Sequence, residues 1–166
     1  MPPEPTRGRA DAAPDVAPLG CYSCEQEALG AAAEERERIL VTATWRVAHA
    51  FNSSAEGWLI LLPRRHVETI VELTAAEAAD LGPLVQRVSR ALHDELGCEK
   101  TYLAQFSEAE GFRHLHFHVV ARRPGAARER LGPNVFEHLR RPEAEWVTPG
   151  RQRELALSLR ARLDGA

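Results

Sequence analysis

The sequence predicts an α+β fold: an antiparallel sheet of about five strands, one long helix packed on it, and a C-terminal helix. Three observations carry this reading. β-rich runs at residues 39–45, 46–52 and 58–62 follow one another through short loops, whereas parallel strands need long crossovers. Residues 74–97 carry apolar side chains at helical spacing with a marked start and stop. Residues 115–121 alternate in a strand period, with apolar Leu115, Phe117 and Val119 on one side.

The elements follow in order. Residues 1–18, rich in Pro, Ala, Asp and Arg, have no hydrophobic period, and we read them as a disordered leader before a single domain over residues 19–166. Ordered structure is expected from Gly20, leading into a short helix over residues 25–37. The runs 39–45 and 46–52 hold Val, Ile, Thr and Trp, which suit a pleated surface. Residues 52–57 (Asn-Ser-Ser-Ala-Glu-Gly) form a loop by their turn chemistry, and the apolar strand 58–62 stops at Pro63. Thr74 followed by Glu77 is a capping box. Beyond it Leu81, Leu84, Val85, Val88, Leu92 and Leu96 share one helix face, Gly82-Pro83 predicts a kink, and Gly97 ends the helix. Residues 100–106 alternate as a strand, 106–111 make a loop, and 151–163 form an amphipathic terminal helix with Leu155, Leu159 and Leu163 on one side. No internal repeat is visible, nor a glycine-rich phosphate loop.

Composition narrows the function classes. The chain has 166 residues, 44% hydrophobic and 27% charged, with a formal net charge of -3. Near-neutral charge argues against a nucleic-acid polymer or an anionic membrane as partner. No apolar run approaches the ~20 residues that cross a bilayer, and the N-terminal stretch lacks the apolar core of a signal peptide. The expected compartment is the cytoplasm. Three cysteines are too few for a disulfide scaffold.

The chemistry lies in the histidines. There are seven, and His114, His116 and His118 stand at i, i+2 and i+4. In a strand all three side chains share a face; a helix would scatter them. Three stacked imidazoles can bind a transition metal, or one can act as nucleophile or general acid–base group while its neighbours set tautomer and charge. Cys21-x-x-Cys24 admits a redox pair, half of a zinc site, or two small core residues. Cys98 reads as a buried small hydrophobe, and His49, His93 and His138 as ordinary polar or core residues.

The run His114-Leu115-His116-Phe117-His118-Val119-Val120 resembles the H-φ-H-φ-H-φ-φ signature (φ apolar) of the histidine triad (HIT) superfamily of nucleotide hydrolases and transferases. The segment Leu59-Ile60-Leu61-Leu62-Pro63-Arg64-Arg65-His66 resembles that family's apolar strand ending in Pro-basic-x-His, and the order of elements over roughly residues 20–125 agrees. The resemblance implies a HIT-like fold and a catalytic set of His114, His116 and His118. In that set His116 attacks an α-phosphate to form a nucleotidyl-histidine, and His118 stabilises charge. It also implies a structural zinc on Cys21, Cys24, His66 and His114, as in zinc-containing bacterial members. Asn52 stands where the family often binds ribose, with a plain turn as the other reading, and Gln105 resembles a phosphate-contacting glutamine. Arg64 and Arg65 are either phosphate contacts or solvated. The implied substrate is a small nucleotide, a dinucleoside polyphosphate or a nucleoside phosphoramidate, and family dimers make a homodimer compatible. Two departures stand out. Gly111 and Glu110 replace the Ser/Thr and Gln that many members carry before the triad, and the proline after the triad is displaced to Pro124. A non-catalytic nucleotide-binding module and a catalytic zinc enzyme using all three triad histidines are the competing functions.

Overall fold

The computed structural model describes residues 20–165. The expected leader, residues 1–18, lies outside them. Five antiparallel strands form one sheet: β1 (Leu40–Val41), β2 (Trp45–His49), β3 (Trp58–Pro63), β4 (Lys100–Gln105) and β5 (Phe117–Arg122), in the order β1-β2-β3-β5-β4. Three α-helices accompany it, α1 (Tyr22–Leu29), α2 (Ala75–Leu96) and α3 (Pro149–Asp164), with short 3-10 turns between elements. No helix among the described residues is long and apolar enough to cross a membrane.

The alternation of apolar residues decides what each sheet face does. Val47, Leu59, Leu61, Phe117, Val119 and Ala121 project to one side, where they bury against Leu84, Val88, Leu92 and Leu96 of α2 and Leu155, Leu159 and Leu163 of α3. Both large helices therefore cover the same face. The other face carries Trp58 and Val120, packed against Val135 of the C-terminal connection with Phe136 and Leu139 beside it. That thin cover leaves room for a cavity.

Helix α2 starts as predicted. Thr74 Oγ1 accepts from the Glu77 N–H at 3.2 Å, while Glu77 Oε2 accepts from the Thr74 N–H at 2.7 Å. It continues through Pro83 and ends at Gly97, whose φ of 61° is the left-handed conformation that glycine adopts without a Cβ penalty.

Several boundaries differ from the sequence reading; the second β run, for one, ends at His49 rather than residue 52. The first helix spans Tyr22–Leu29 rather than 25–37, because Gly30 at φ 50° breaks it into 3-10 turns. The first β run keeps two strand residues, since Thr42 turns the chain: its hydroxyl accepts from the Trp45 N–H at 2.9 Å. The triad strand begins at Phe117 rather than Leu115. Before it the chain lies outside the ladder, with Leu115 N–H donating to the Val67 carbonyl at 2.7 Å.

Candidate active site and metal centre

All three triad histidines sit on or lead into β5, on the face opposite the helices, and Leu115, Phe117 and Val119 fill the core behind them. They diverge into two environments. His114 is 1% exposed and turns toward the N-terminal segment; His116 and His118 line a cavity of about 410 Å³. That cavity is bounded by Trp58, Phe51, Asn52, Ser107, Phe112 and Phe136, among others.

His116 Nδ1 lies 2.8 Å from the carbonyl oxygen of His114. A carbonyl only accepts, so Nδ1 carries the proton and Nε2 holds a free lone pair. Burial holds the pKa of His116 below the usual imidazole range, which keeps the ring neutral near pH 7. His118 is set the other way round. The Trp58 indole N–H donates to its Nδ1 at 3.0 Å, so its proton resides on Nε2. Register explains this contact: β3 pairs Trp58 with Val120 and Ile60 with His118, making Trp58 and His118 diagonal neighbours on one face. Burial, and to a smaller extent the proximity of the His116 imidazole, pushes His118 down to about 3. The two rings stand 4.8 Å apart and nearly perpendicular, and Phe136 packs edge-on against His118 at 5.2 Å.

His114 belongs to a second group. Its Nε2 is 2.8 Å from the Pro63 carbonyl, which places the proton there and leaves Nδ1 as a lone pair. That Nδ1 faces Cys24 Sγ at 3.5 Å and Cys21 Sγ at 3.8 Å, and His66 Nδ1 lies 3.3 Å from Cys24 Sγ. The ligand atoms of Cys21, Cys24, His66 and His114 all lie within 4.8 Å of one another. Tetrahedral zinc with sulfur at ~2.3 Å and nitrogen at ~2.0 Å spaces its ligands by roughly 3.5 Å, so this donor set fits the ion. Burial, and after it the adjacent Cys21, push the Cys24 thiol up to about 12.

Asn52 lines the cavity. Gln105 does not; its Nε2 donates to Ser107 Oγ at 3.1 Å, one step behind the wall. Arg64 and Arg65 are engaged by carboxylates, Arg64 by Glu27 at 2.7 Å and Arg65 by Glu77 at 2.9 Å. His49 is structural: buried, it stands 2.8 Å from the Ala50 carbonyl through Nδ1 and accepts the Gly57 N–H through Nε2. Gly111 has φ 77°, and its carbonyl accepts the Tyr22 N–H at 3.1 Å. A left-handed turn against the cysteine segment explains a glycine there in place of Ser or Thr.

Sequence reasoning missed Trp58, Ser107 and Phe136. Trp58 reads as the first residue of an apolar strand, and only register reveals its indole N–H beside His118. Phe136 lies in a connection with no period. Ser107 belongs to no motif.

A fold and site of this kind define a class of protein, and the comparisons agree. The HIT domain family model matches residues 33–125. The chain belongs to the HIT domain family. Among solved structures, a zinc-bound histidine triad family protein from Mycobacterium smegmatis superposes with TM-score 0.64 at 21% identity, covering 87% of this chain and 94% of that one. A histidine triad protein from Bradyrhizobium japonicum gives 0.60 at 27% identity over 76% and 89%, and one from Sinorhizobium meliloti 0.59 at 27% over 74% and 86%. No curated protein matches the chain.

Proposed function

We propose that the protein is a HIT-type nucleotide hydrolase or nucleotidyltransferase that cleaves its substrate at an α-phosphate through a nucleotidyl-histidine. One observation carries this reading: His116 has its proton held on Nδ1 by the His114 carbonyl, so Nε2 offers a lone pair inside the cavity. Nε2 forms a bond to phosphorus, and the bond from phosphorus to the leaving group breaks with its electron pair departing on that group. Water then attacks phosphorus, the N–P bond returns its pair to Nε2, and the water proton passes to solvent. An acceptor other than water gives transfer instead of hydrolysis. Splitting the displacement into two steps is the advantage of a covalent route. His118, its proton on Nε2, donates to a phosphoryl oxygen as charge develops. Asn52 is the polar group on the cavity wall suited to ribose hydroxyls.

The cysteine–histidine cluster holds a structural zinc in this reading. Cys21, Cys24, His66 and His114 would hold the ion, a set of four protein ligands of the closed, structural type. Its task is to fasten the N-terminal segment to the sheet. Tyr22 and Ser23, between the two cysteines, line the cavity, so the metal also sets one wall. Using all three triad histidines on one catalytic metal does not suit this arrangement, because His114 turns its Nδ1 lone pair to Cys21 and Cys24, away from the cavity that His116 and His118 line.

A nucleotide-binding module without turnover is the second reading, favoured by Gly111 in the place of the usual hydroxyl. Turnover of dinucleoside polyphosphates and nucleoside phosphoramidates, in wild type and His116→Ala, separates the two. Turnover abolished by the substitution supports the enzyme; nucleotide binding with no turnover of either class supports the module.

A further inference from the structure

We propose that the Ser107 hydroxyl is a substrate-contacting group that donates its proton in a hydrogen bond to an oxygen of the α-phosphate. The proposal rests on the nucleotide reading above and adds a residue to it.

The first observation is backbone strain. Ser107 has φ 55°, and among the described residues it is the one non-glycine with positive φ. The left-handed region disfavours a residue with a Cβ, and such outliers collect at functional sites. The second is the pattern of partners. Ser107 Oγ receives the His116 backbone N–H at 3.0 Å and the Gln105 Nε2–H at 3.1 Å, and lies 3.2 Å from His116 Nδ1. That Nδ1 already bears a proton, because it faces the His114 carbonyl. All three neighbours are donors, so none can take the serine proton. The third is position: Ser107 lines the cavity together with His116 and His118. Its proton is therefore left for a ligand in the cavity, and its oxygen is fixed from behind before the ligand arrives.

This arrangement answers the departure at Gly111. The hydroxyl that many HIT members carry three residues before the triad is absent, and a loop serine seven residues before His114 supplies one beside the same nucleophile. Ser107 keeps its O–H bond throughout. No base stands ready to remove the proton, so it is a hydrogen-bond donor to developing charge and never a nucleophile.

Ser107→Gly is the informative substitution, because glycine adopts φ 55° freely and the fold is retained or gains stability. Affinities are measured for the four ribonucleoside 5′-monophosphates and the matching nucleosides by calorimetric titration, beside turnover of any substrate the wild type cleaves. The expected result is a loss of at least about tenfold in monophosphate affinity with nucleoside affinity unchanged, since a hydrogen bond to a charged group is removed. Where turnover is present, it falls by roughly 100-fold, the scale for one lost oxyanion donor. Equal monophosphate affinity in wild type and variant overturns the proposal, and so does a parallel loss for nucleosides, which indicates a collapsed site. Wild type that binds monophosphate without turnover overturns only the enzymatic reading, and the affinity comparison still decides Ser107. Wild type that binds no monophosphate overturns both.

Discussion

Trp58 and His118 are joined by a hydrogen bond in which a donor that cannot titrate, the indole N–H, meets Nδ1 of the imidazole at 3.0 Å. Indole has no acceptor form, so His118 is fixed as the Nε2–H tautomer. Protonating Nδ1 would break the bond. Trp58→Phe removes the donor while keeping an aromatic ring against Phe136. We expect the 15N shifts of His118 to move from a single tautomer toward a mixture and turnover to fall about tenfold, in proportion to one lost hydrogen bond in a buried site. Unchanged nitrogen shifts would remove Trp58 from the account.

The zinc assignment predicts one zinc per chain in freshly purified protein. Cys24→Ser removes the sulfur that His114 Nδ1 and His66 Nδ1 both face. Structural zinc sites contribute on the order of 10 kcal/mol of apparent binding free energy. Even a few kcal/mol lost shifts the melting midpoint by roughly 10 °C for a chain of this size. Metal content well below one, or a midpoint unmoved by the substitution, contradicts the assignment.

Acid should destabilise the fold before its carboxylates titrate. Burial lowers His49 to about 4 and His118 to about 3, against an ordinary value near 6.5. Both are neutral in the folded protein at pH 6, whereas the unfolded chain takes up protons below 6.5. Stability is thus complete above pH 6.5 and is lost as pH falls toward those folded values, by about 1.4 kcal/mol per pH unit for each histidine well below 6.5. Denaturant unfolding at pH 7.5, 6.0 and 5.0 tests this. A fall in unfolding free energy that shrinks by about one histidine's share in His118→Asn is expected, and a flat profile contradicts it.

Gly57 is predicted to tolerate no side chain. Its φ is 75°, and a Cβ there would lie 2.5 Å from Leu96 Cδ1 and 3.0 Å from Ala121 Cβ. Its N–H also donates to His49. Gly57→Ala should cost about 1–3 kcal/mol through overpacking, plus the left-handed strain. Thermal unfolding within 1 °C of wild type would contradict this.

Much of the site is legible in the sequence because it depends on spacing. Alternation placed His114, His116 and His118 on one face and Leu115, Phe117 and Val119 on the other, and it held even though residues 114–116 lie outside the sheet ladder. The resemblance to HIT proteins brought Cys21, Cys24, His66 and His114 together on paper, and the fold brings them within 4.8 Å in space. What escaped depends on register and on loops. Trp58 reaches His118 only because β3 and β5 pair as they do, and Ser107 reaches His116 only because of a strained turn. Gln105, expected against phosphate, ends β4 and donates to Ser107. Phe136 comes from a stretch with no strand or helix period.

The central claim is that His116 becomes covalently nucleotidylated. Rapid quenching of the protein with each dinucleoside polyphosphate and phosphoramidate, followed by intact mass and peptide mapping, measures this directly. A mass increase of one nucleotidyl group, located on His116 and absent in His116→Ala, is the predicted result. Turnover that persists in His116→Ala, or a nucleotidyl group mapped to another residue, contradicts the account.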